Sequence, residues 1–337
     1  MPLPFHPADG DPVPAALRGF ARAHADLVEL HEKPAHLVAR HRNPGRRVGL
    51  VSGGGSGHEP LHAGFLGRGM LDAVAPGKIF ASPHNKQVLE ASRKAAGPDG
   101  VIHVVKNYTG DRINFGIAAE RLRLEGIEVR RVLVDDDLAT ESAETATGRR
   151  GTGATVVVEK LLGAAADTGL GLDELASLGA EFAAASRSLA VASRAQTSPH
   201  TGEPSFALDA GELEFGVGIH GERAQKTVPR PPLEELVEQL LDQLVAGLPE
   251  GPDDVVVVVN GLGGTTLLEL YVLQDLVAAG LERRGLRQAG GLVGTFVPAL
   301  DMAGFSLTLT RLQPEWRQWW AAPAITPAFP RTTEETA

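Results

Sequence analysis

Residues Val48 to Gly64, VGLVSGGGSGHEPLHAG, limit the possible folds more than any other stretch. A short apolar run feeds four glycines in five positions, and His58 follows at the start of a segment that reads as helix. An apolar strand entering a glycine turn lets the backbone approach a ligand closely, and N–H groups at a helix start can meet its oxygen atoms. The pattern predicts a small-molecule site at the end of a buried strand.

Four familiar motifs can be laid on this stretch, and each has an obstacle. G-x-G-x-x-G from Gly53 meets His58 where its last glycine belongs, and the Gly-Lys-Ser/Thr of a P-loop never comes. The nucleophile elbow tried as Gly54-Gly55-Ser56-Gly57 also meets His58 in place of its closing glycine. His58-Glu59-Pro60-Leu61-His62 matches H-E-x-x-H literally. That motif needs both histidines on one continuous helix, and Pro60 is tolerated only near a first helical position, so His58 is expected in the preceding loop and a zinc site is disfavoured.

Strands, turns and helices alternate along the chain, which predicts an α/β protein with mostly parallel or mixed sheets. Pro12 to Leu30 has helical periodicity, and His24, His31, His36 and His41, with no ligand spacing between them, are expected at the surface or as caps. Lys78 to Pro83 reads as a short strand, Asn85 to Ala96 as a helix and Val101 to Val105 as a buried strand. The polar turn Lys106 to Asp111 follows directly, where open α/β sheets place ligand-contacting groups. Ile113 to Glu125 is the next predicted helix and Glu128 to Val134 the next strand.

Asp135-Asp136-Asp137 has two readings, a metal site or an ordered loop in which Asp137 caps a following helix while its neighbours face solvent; the second is preferred for want of partners. Arg149-Arg150 is placed to pair with this turn. Gly153 to Ala166 is apolar nearly all round and predicts a buried helix, and Leu172 to Leu189 predicts another.

A length of 337 residues exceeds what one core usually supports, and two domains are expected, 1–185 and 186–337. In the second, Leu213, Phe215, Val217 and Ile219 alternate and predict a half-buried strand ending at His220. A histidine between glycines at a strand end suits a nucleophile or base, and a turn histidine without chemistry is the competing reading. Leu233 to Leu248 is an amphipathic helix, Val255 to Val259 a buried strand followed by a glycine turn and a helix to Ala279, and Gly290 to Leu312 carries the last strands. The segment from Ala321 is broken by prolines and is expected as a surface extension.

The net charge is −10 and no basic run exceeds an Arg-Arg pair, which argues against nucleic acid or an anionic membrane as partner. The absence of cysteine excludes disulfides and thiol nucleophiles. The N-terminus lacks a signal-peptide pattern and no apolar run nears a membrane span, so the expected location is cytoplasmic.

SGGGSGHEP, VKNYTGD, VDDDLA, GRRG, EKLLGAAA, EFGVGIHGE, VNGLGGT and LDMAGFS occur in this order. Together they resemble the K subunit, or K domain, of dihydroxyacetone kinases over about residues 15 to 330. The resemblance implies a homodimer of two-domain α/β chains that holds a short ketose. It implies that His220 bonds through its imidazole to the substrate carbonyl carbon as a hemiaminal, a test that glycerol fails because it has no carbonyl. By the same resemblance Asp111 is the general base for the terminal hydroxyl, His58 assists it, and Gly55, Ser56, Gly57 and Lys106 contact the substrate. The phosphoryl donor implied is a nucleotide-binding L domain or L subunit carrying ATP, or an ADP recharged by a phosphotransferase-system protein, with magnesium. No cofactor or metal is expected on this chain, which ends where an L domain would begin. Arg223-Ala224 after His-Gly-Glu, Pro298-Ala299 and His84-Asn85-Lys86 depart from the family pattern and leave a four-carbon ketose such as erythrulose open beside dihydroxyacetone. A ligand-sensing co-activator of transcription is the alternative from another class.

Overall fold

A computed structural model describes residues 5, 10–140, 148–199, 201–222 and 226–329. Arg223 and Ala224 lie outside these residues. The described chain forms two compact units, one from 10–134, Thr155–Ala183 and 315–329, the other from 135–140, 148–154 and the described part of Ala184–Pro314. Among the described residues each unit carries one six-stranded sheet with helices, an α/β fold with mixed sheets as expected.

The first unit begins with α1 (Val13–Ala23) and the hairpin of β1 (Val28–Glu32) and β2 (Ala35–Ala39), followed by β3 (Val48–Ser56), β4 (Ala73–Ile79), α2 (Asn85–Ala95), β5 (Gly100–Lys106), α3 (Thr109–Leu124) and β6 (Val129–Val134). α4 (Ala154–Ala166), α5 (Leu172–Ala184) and α8 (Arg317–Ala321) complete it. The sheet order is β1-β2-β4-β3-β5-β6, with β4, β3, β5 and β6 parallel. Parallel strands covered on both faces read as unbroken apolar runs, and every residue of β3 and β5 is buried. α2 and α3 pack their apolar faces on these strands through Val88, Ala91, Phe115, Ala118 and Leu122. The order places β3 between β4 and β5, so the chain leaves the end of β3 toward one neighbour and returns to the other. This is a topological switch point, and ligands of open α/β sheets bind beyond the carboxyl ends of the strands there.

The second unit contains β7 (Ser186–Arg194), β8 (Glu212–Phe215), β9 (Lys226–Pro229), α6 (Leu233–Gly247), β10 (Asp254–Gly261), α7 (Leu267–Arg283), β11 (Arg287–Gly294) and β12 (Ala303–Arg311). Its order is β11-β10-β12-β7-β8-β9, antiparallel except for β10 with β11. β-Branched side chains suit a pleated buried surface, and the valine run Val255–Val259 is the centre of a core closed by Leu240, Leu244, Leu270 and Val277 from α6 and α7.

Several local expectations are corrected. The helix expected over Pro12 to Leu30 stops at Ala23, because Val28–Glu32 pairs with Ala35–Ala39. The glycines 53–55 are strand: β3 runs through Ser56, paired with β4, and no α-helix follows His58, only a 3-10 turn at Ala63–Phe65. The strand expected from Lys78 is β4, which begins at Ala73. α3 starts at Thr109 and brings Asp111 into its first turn, where a carboxylate meets the positive end of the helix dipole. The helix expected to Leu189 ends at Ala184, since from Ser186 the chain pairs with β12. The alternation expected to reach Ile219 ends at Phe215; Gly216 has φ of 83° and residues 217–222 form a turn.

Two more corrections concern exposure. His36 is buried, its ring stacked on His31 at 4.6 Å. The described part of the C-terminal segment is packed rather than extended over the surface: Ala324 and Phe329 are buried, and Ile325 N–H and Ala328 N–H donate to the Arg68 and Gly64 carbonyls.

Candidate functional site

In the first unit the sheet brings His58, Lys106 and Asp111 to the carboxyl ends of the adjacent parallel strands β3 and β5. Lys106 is the last residue of β5 and Asp111 sits one turn into α3. His58 lies two residues beyond β3 with its ring 5.2 Å from that of Phe80. All three are buried, at 0%, 1% and 3% exposure for His58, Lys106 and Asp111. Ionisable side chains are rarely this buried unless partnered or used, so their gathering at the switch point marks a site.

The residues between them are backbone-forming. Gly55 and Ser56 close β3, and the Ser56 hydroxyl donates to the Gly77 carbonyl at 2.7 Å, which commits its proton to the fold. Gly57 N–H donates to Glu59 Oε2 at 2.9 Å. Burial pushes the Glu59 carboxyl up from its ordinary value, opposed by these backbone N–H groups and by Lys106. A cavity of about 330 Å³ runs along this strand end, bounded by Gly55, Ser56 and Glu59 and by Val13, Leu17 and Phe20 of α1. His58, Lys106 and Asp111 do not line it.

His220 belongs to the second unit, in the turn after β8. Its Nδ1 is 3.0 Å from Glu222 Oε1, and its backbone N–H donates to Glu222 Oε2 at 3.0 Å. Burial acts to raise the Glu222 carboxyl, but the hydrogen bond and charge of His220 and the Arg150 guanidinium bring it to about 2. Glu222 is therefore an anion at neutral pH, and a carboxylate accepts from Nδ1–H, so in the neutral imidazole the lone pair sits on Nε2.

Arg150 in turn is held by Asp137 Oδ2 at 2.7 Å and by the Gly216 carbonyl at 3.0 Å, and reaches Glu222 at 3.9 Å. Gly218 makes this approach possible, because a Cβ there would lie 2.0 Å from Glu222 Oε2 and 2.4 Å from Arg150 Nη1. Arg149-Arg150 pairs with the Asp turn as expected, while the approach of Arg150 to Glu222 and the roles of Glu222 and Gly218 were not read from the sequence. The signal for Glu222 was a carboxylate two residues after the histidine.

The Asp triplet orders a loop, as preferred, but of the two neighbours expected to face solvent only Asp135 is partly exposed, and Asp136 is interior. Asp136 is fully buried and accepts from Thr152 N–H at 2.7 Å, Thr152 Oγ1 at 2.9 Å, Ala154 N–H at 2.9 Å and the Ser188 hydroxyl. Asp137 Oδ1 caps the Ala139 N–H at 3.0 Å, and Arg149 bonds to Asp135. Among the described residues no three His, Asp or Glu side chains converge to hold a metal ion. His58 to His62 is not helical, so the H-E-x-x-H geometry is not formed, and His62 instead pairs with Glu159. None of the helices among the described residues is long and apolar enough to cross a membrane.

Comparison with known proteins identifies the family. Residues 18–328 match the model of the Dak1 domain. The chain is 42% identical over 320 residues to the dihydroxyacetone-binding subunit of PTS-dependent dihydroxyacetone kinase 1 of Listeria innocua, covering 93% of this chain and 95% of that one. It is 39% identical over 321 residues to L-erythrulose 1-kinase of Mycolicibacterium smegmatis, covering 94% of this chain and 56% of that protein. The solved structure of a dihydroxyacetone kinase operon co-activator superimposes with a TM-score of 0.90 at 33% identity, over 96% of this chain and 100% of the other. With its family model matched from end to end of both sheets, this chain is a member of the Dak1 domain family.

Proposed function

We propose that this chain is the ketose-holding subunit of a dihydroxyacetone kinase, acting in the cytoplasm as a homodimer with a nucleotide-binding L subunit that carries ATP or ADP and magnesium. The observation that carries the reading is the His220–Glu222 pair, with Nδ1 held at 3.0 Å and the carboxylate depressed to about 2. Nε2 attacks the ketone carbon, the carbonyl π pair moves to oxygen, and that oxygen takes a proton from water. The positive charge left on the alkylated ring is met by Glu222. Asp111 accepts the proton of the terminal hydroxyl as that oxygen attacks the phosphoryl group, His58 assists, and Lys106 with the backbone of Gly55 to Gly57 holds substrate oxygens.

The test is intact-mass measurement of the chain with dihydroxyacetone, erythrulose and glycerol. Added mass with a ketose and none with glycerol supports the reading, provided His220→Ala abolishes it; a chain that gains no ketose mass refutes it. The likeness to a co-activator supports a second reading, a ketose sensor that captures ligand without turnover. Phosphorylated product in the presence of an L subunit decides for the kinase.

A further inference from the structure

The first unit holds a second cavity, of about 490 Å³, that the ketose reading leaves unused. Leu27, His41, Arg42, Pro44, Arg68 and Ile325 line it, and none of them borders the cavity beside the glycine strand. His41 to Pro44 lie in the loop that enters β3 and Arg68 in the loop that enters β4, so this cavity sits at the amino ends of parallel strands whose carboxyl ends carry the ketose site. Its volume falls in the range of about 300–1,000 Å³ usual for small-molecule sites.

The charges around it do not balance. Arg46, buried in the same loop, donates to Asp72 Oδ2 at 2.9 Å and to Asp167 Oδ1 at 2.7 Å. Arg42 Nε stands 3.0 Å from Asp72 Oδ1, and Asp72 is its only ion-pair partner among the described residues. Asp72 is itself shared, because it also accepts from Leu50 N–H at 2.7 Å. Two carboxylates thus answer two guanidinium groups, and Arg68 is a third. Among the described residues the Arg68 side chain has no ion pair or hydrogen bond, although its charge is felt at Asp167. A guanidinium stays charged at every pH at which a protein is folded, so the cavity wall keeps a positive surplus on a chain whose net charge is −10.

The turn that carries Arg68 is fixed in advance. The Arg68 carbonyl accepts from Ile325 N–H at 2.9 Å, and Gly67 N–H donates to the Leu71 carbonyl at 2.9 Å. Gly67 and Gly69, on either side, have φ of 143° and 82°. A Cβ on Gly67 would lie 2.1 Å from the Ile325 carbonyl oxygen and one on Gly69 2.3 Å from that of Pro323, so the C-terminal segment packs directly on this turn. A backbone already held this way has little freedom left to lose on binding a ligand.

We infer that this cavity binds a small phosphate ester. The forked guanidinium of Arg68 and the terminal nitrogens of Arg42 take the phosphate oxygens, His41 adds a ring N–H, and the carbon part of the ester lies on Leu27, Pro44 and Ile325. A dianion neutralises the surplus charge, which a neutral sugar cannot do. The inference is independent of the ketose reading, since it uses neither His220 nor the residues at the carboxyl ends of the strands.

Calorimetric titration of the full chain at low salt tests it, with glycerol 3-phosphate, inorganic phosphate and glycerol as probes. Glycerol 3-phosphate has no carbonyl, so capture at His220 cannot stand in for binding here. Saturable binding of glycerol 3-phosphate is expected, weaker binding of inorganic phosphate, which lacks the carbon part, and none of glycerol. Arg68→Met is expected to weaken glycerol 3-phosphate roughly tenfold or more, the loss of a hydrogen bond between charged groups. Its Tm should stay that of the native chain, because no side-chain partner is lost. Arg68→Lys, which keeps the charge without the fork, should fall between the two, and Arg42→Met should weaken binding as well. No saturable binding of either phosphate, or binding that Arg68→Met and Arg42→Met leave unchanged, overturns the inference. Equal affinity for the inorganic ion overturns the assignment to an ester and gives the site to free phosphate.

Discussion

Glu222 grips His220 at two points, its Oε1 3.0 Å from the ring Nδ1 and its Oε2 3.0 Å from the backbone nitrogen. One carboxylate therefore sets both the tautomer and the orientation of the ring.

Glu222→Gln keeps the shape but replaces the anion with an amide that can turn its NH₂ toward Nδ1 and reverse the tautomer. Loss of a hydrogen bond to a charged group costs about 1.5–3 kcal/mol, so ketose capture is expected to weaken roughly 10- to 100-fold. Intact-mass titration measures it, and circular dichroism unchanged from the native chain separates the effect from misfolding. Undiminished capture would show that the carboxylate does not act on the ring.

Asp111→Asn separates capture from transfer. The amide accepts no proton from the substrate hydroxyl, while His220 is untouched, so the covalent adduct is expected to persist. Phosphorylation with an L subunit is expected to fall about 10²- to 10⁴-fold, the usual range for a general base. Loss of the adduct together with turnover would assign Asp111 to binding instead.

Asp137 supplies a pH signature. Burial raises its carboxyl to about 6, against the pull of Arg150 and the Ala139 N–H and with the help of Asp136. An unfolded aspartate titrates at about 3.9, so the folded state holds this proton more tightly. The resulting stability is fully present below pH about 4 and is lost as pH rises through about 6, a change on the order of 3 kcal/mol from this side chain. Melting of the native chain compared with Asp137→Asn from pH 4 to 7 should show the native Tm falling relative to the variant as pH rises. Parallel curves would place the proton elsewhere.

Gathering these residues took more than pattern. Buried strands such as Val101 to Val105 and Val255 to Val259, and helices such as Leu233 to Leu248, were legible because apolar periodicity and β-branching report burial locally. The same signal failed wherever partner strands decided: Val28–Glu32 and Ser186–Leu189 are too short to show which period they follow, and pairing with Ala35–Ala39 and β12 chose strand. Motif order pointed to His58, Lys106, Asp111 and His220, and the arginine pair of GRRG was matched to the acidic turn, yet Glu159 and Glu222 received no role. A lone Glu-Lys in an apolar helix and a carboxylate after a histidine have no chemistry until folding brings a partner within bonding distance.

What the amino-acid order alone determined was the kind of element and the family, because side-chain shape and hydrophobic spacing act over a few residues and the motifs are contiguous. Tertiary structure alone decided that the glycines of residues 53–55 are strand, that Asp136 and Asp137 are interior, and that Glu222 and Glu159 each face a histidine. Those outcomes depend on residues up to about a hundred positions apart in the chain, as with His62 and Glu159, whose Nδ1 and Oε1 come within 2.6 Å across 97 positions. Hydrogen bonds and buried charges are energetically decisive only at contact distance, and contact between distant residues is made by the fold.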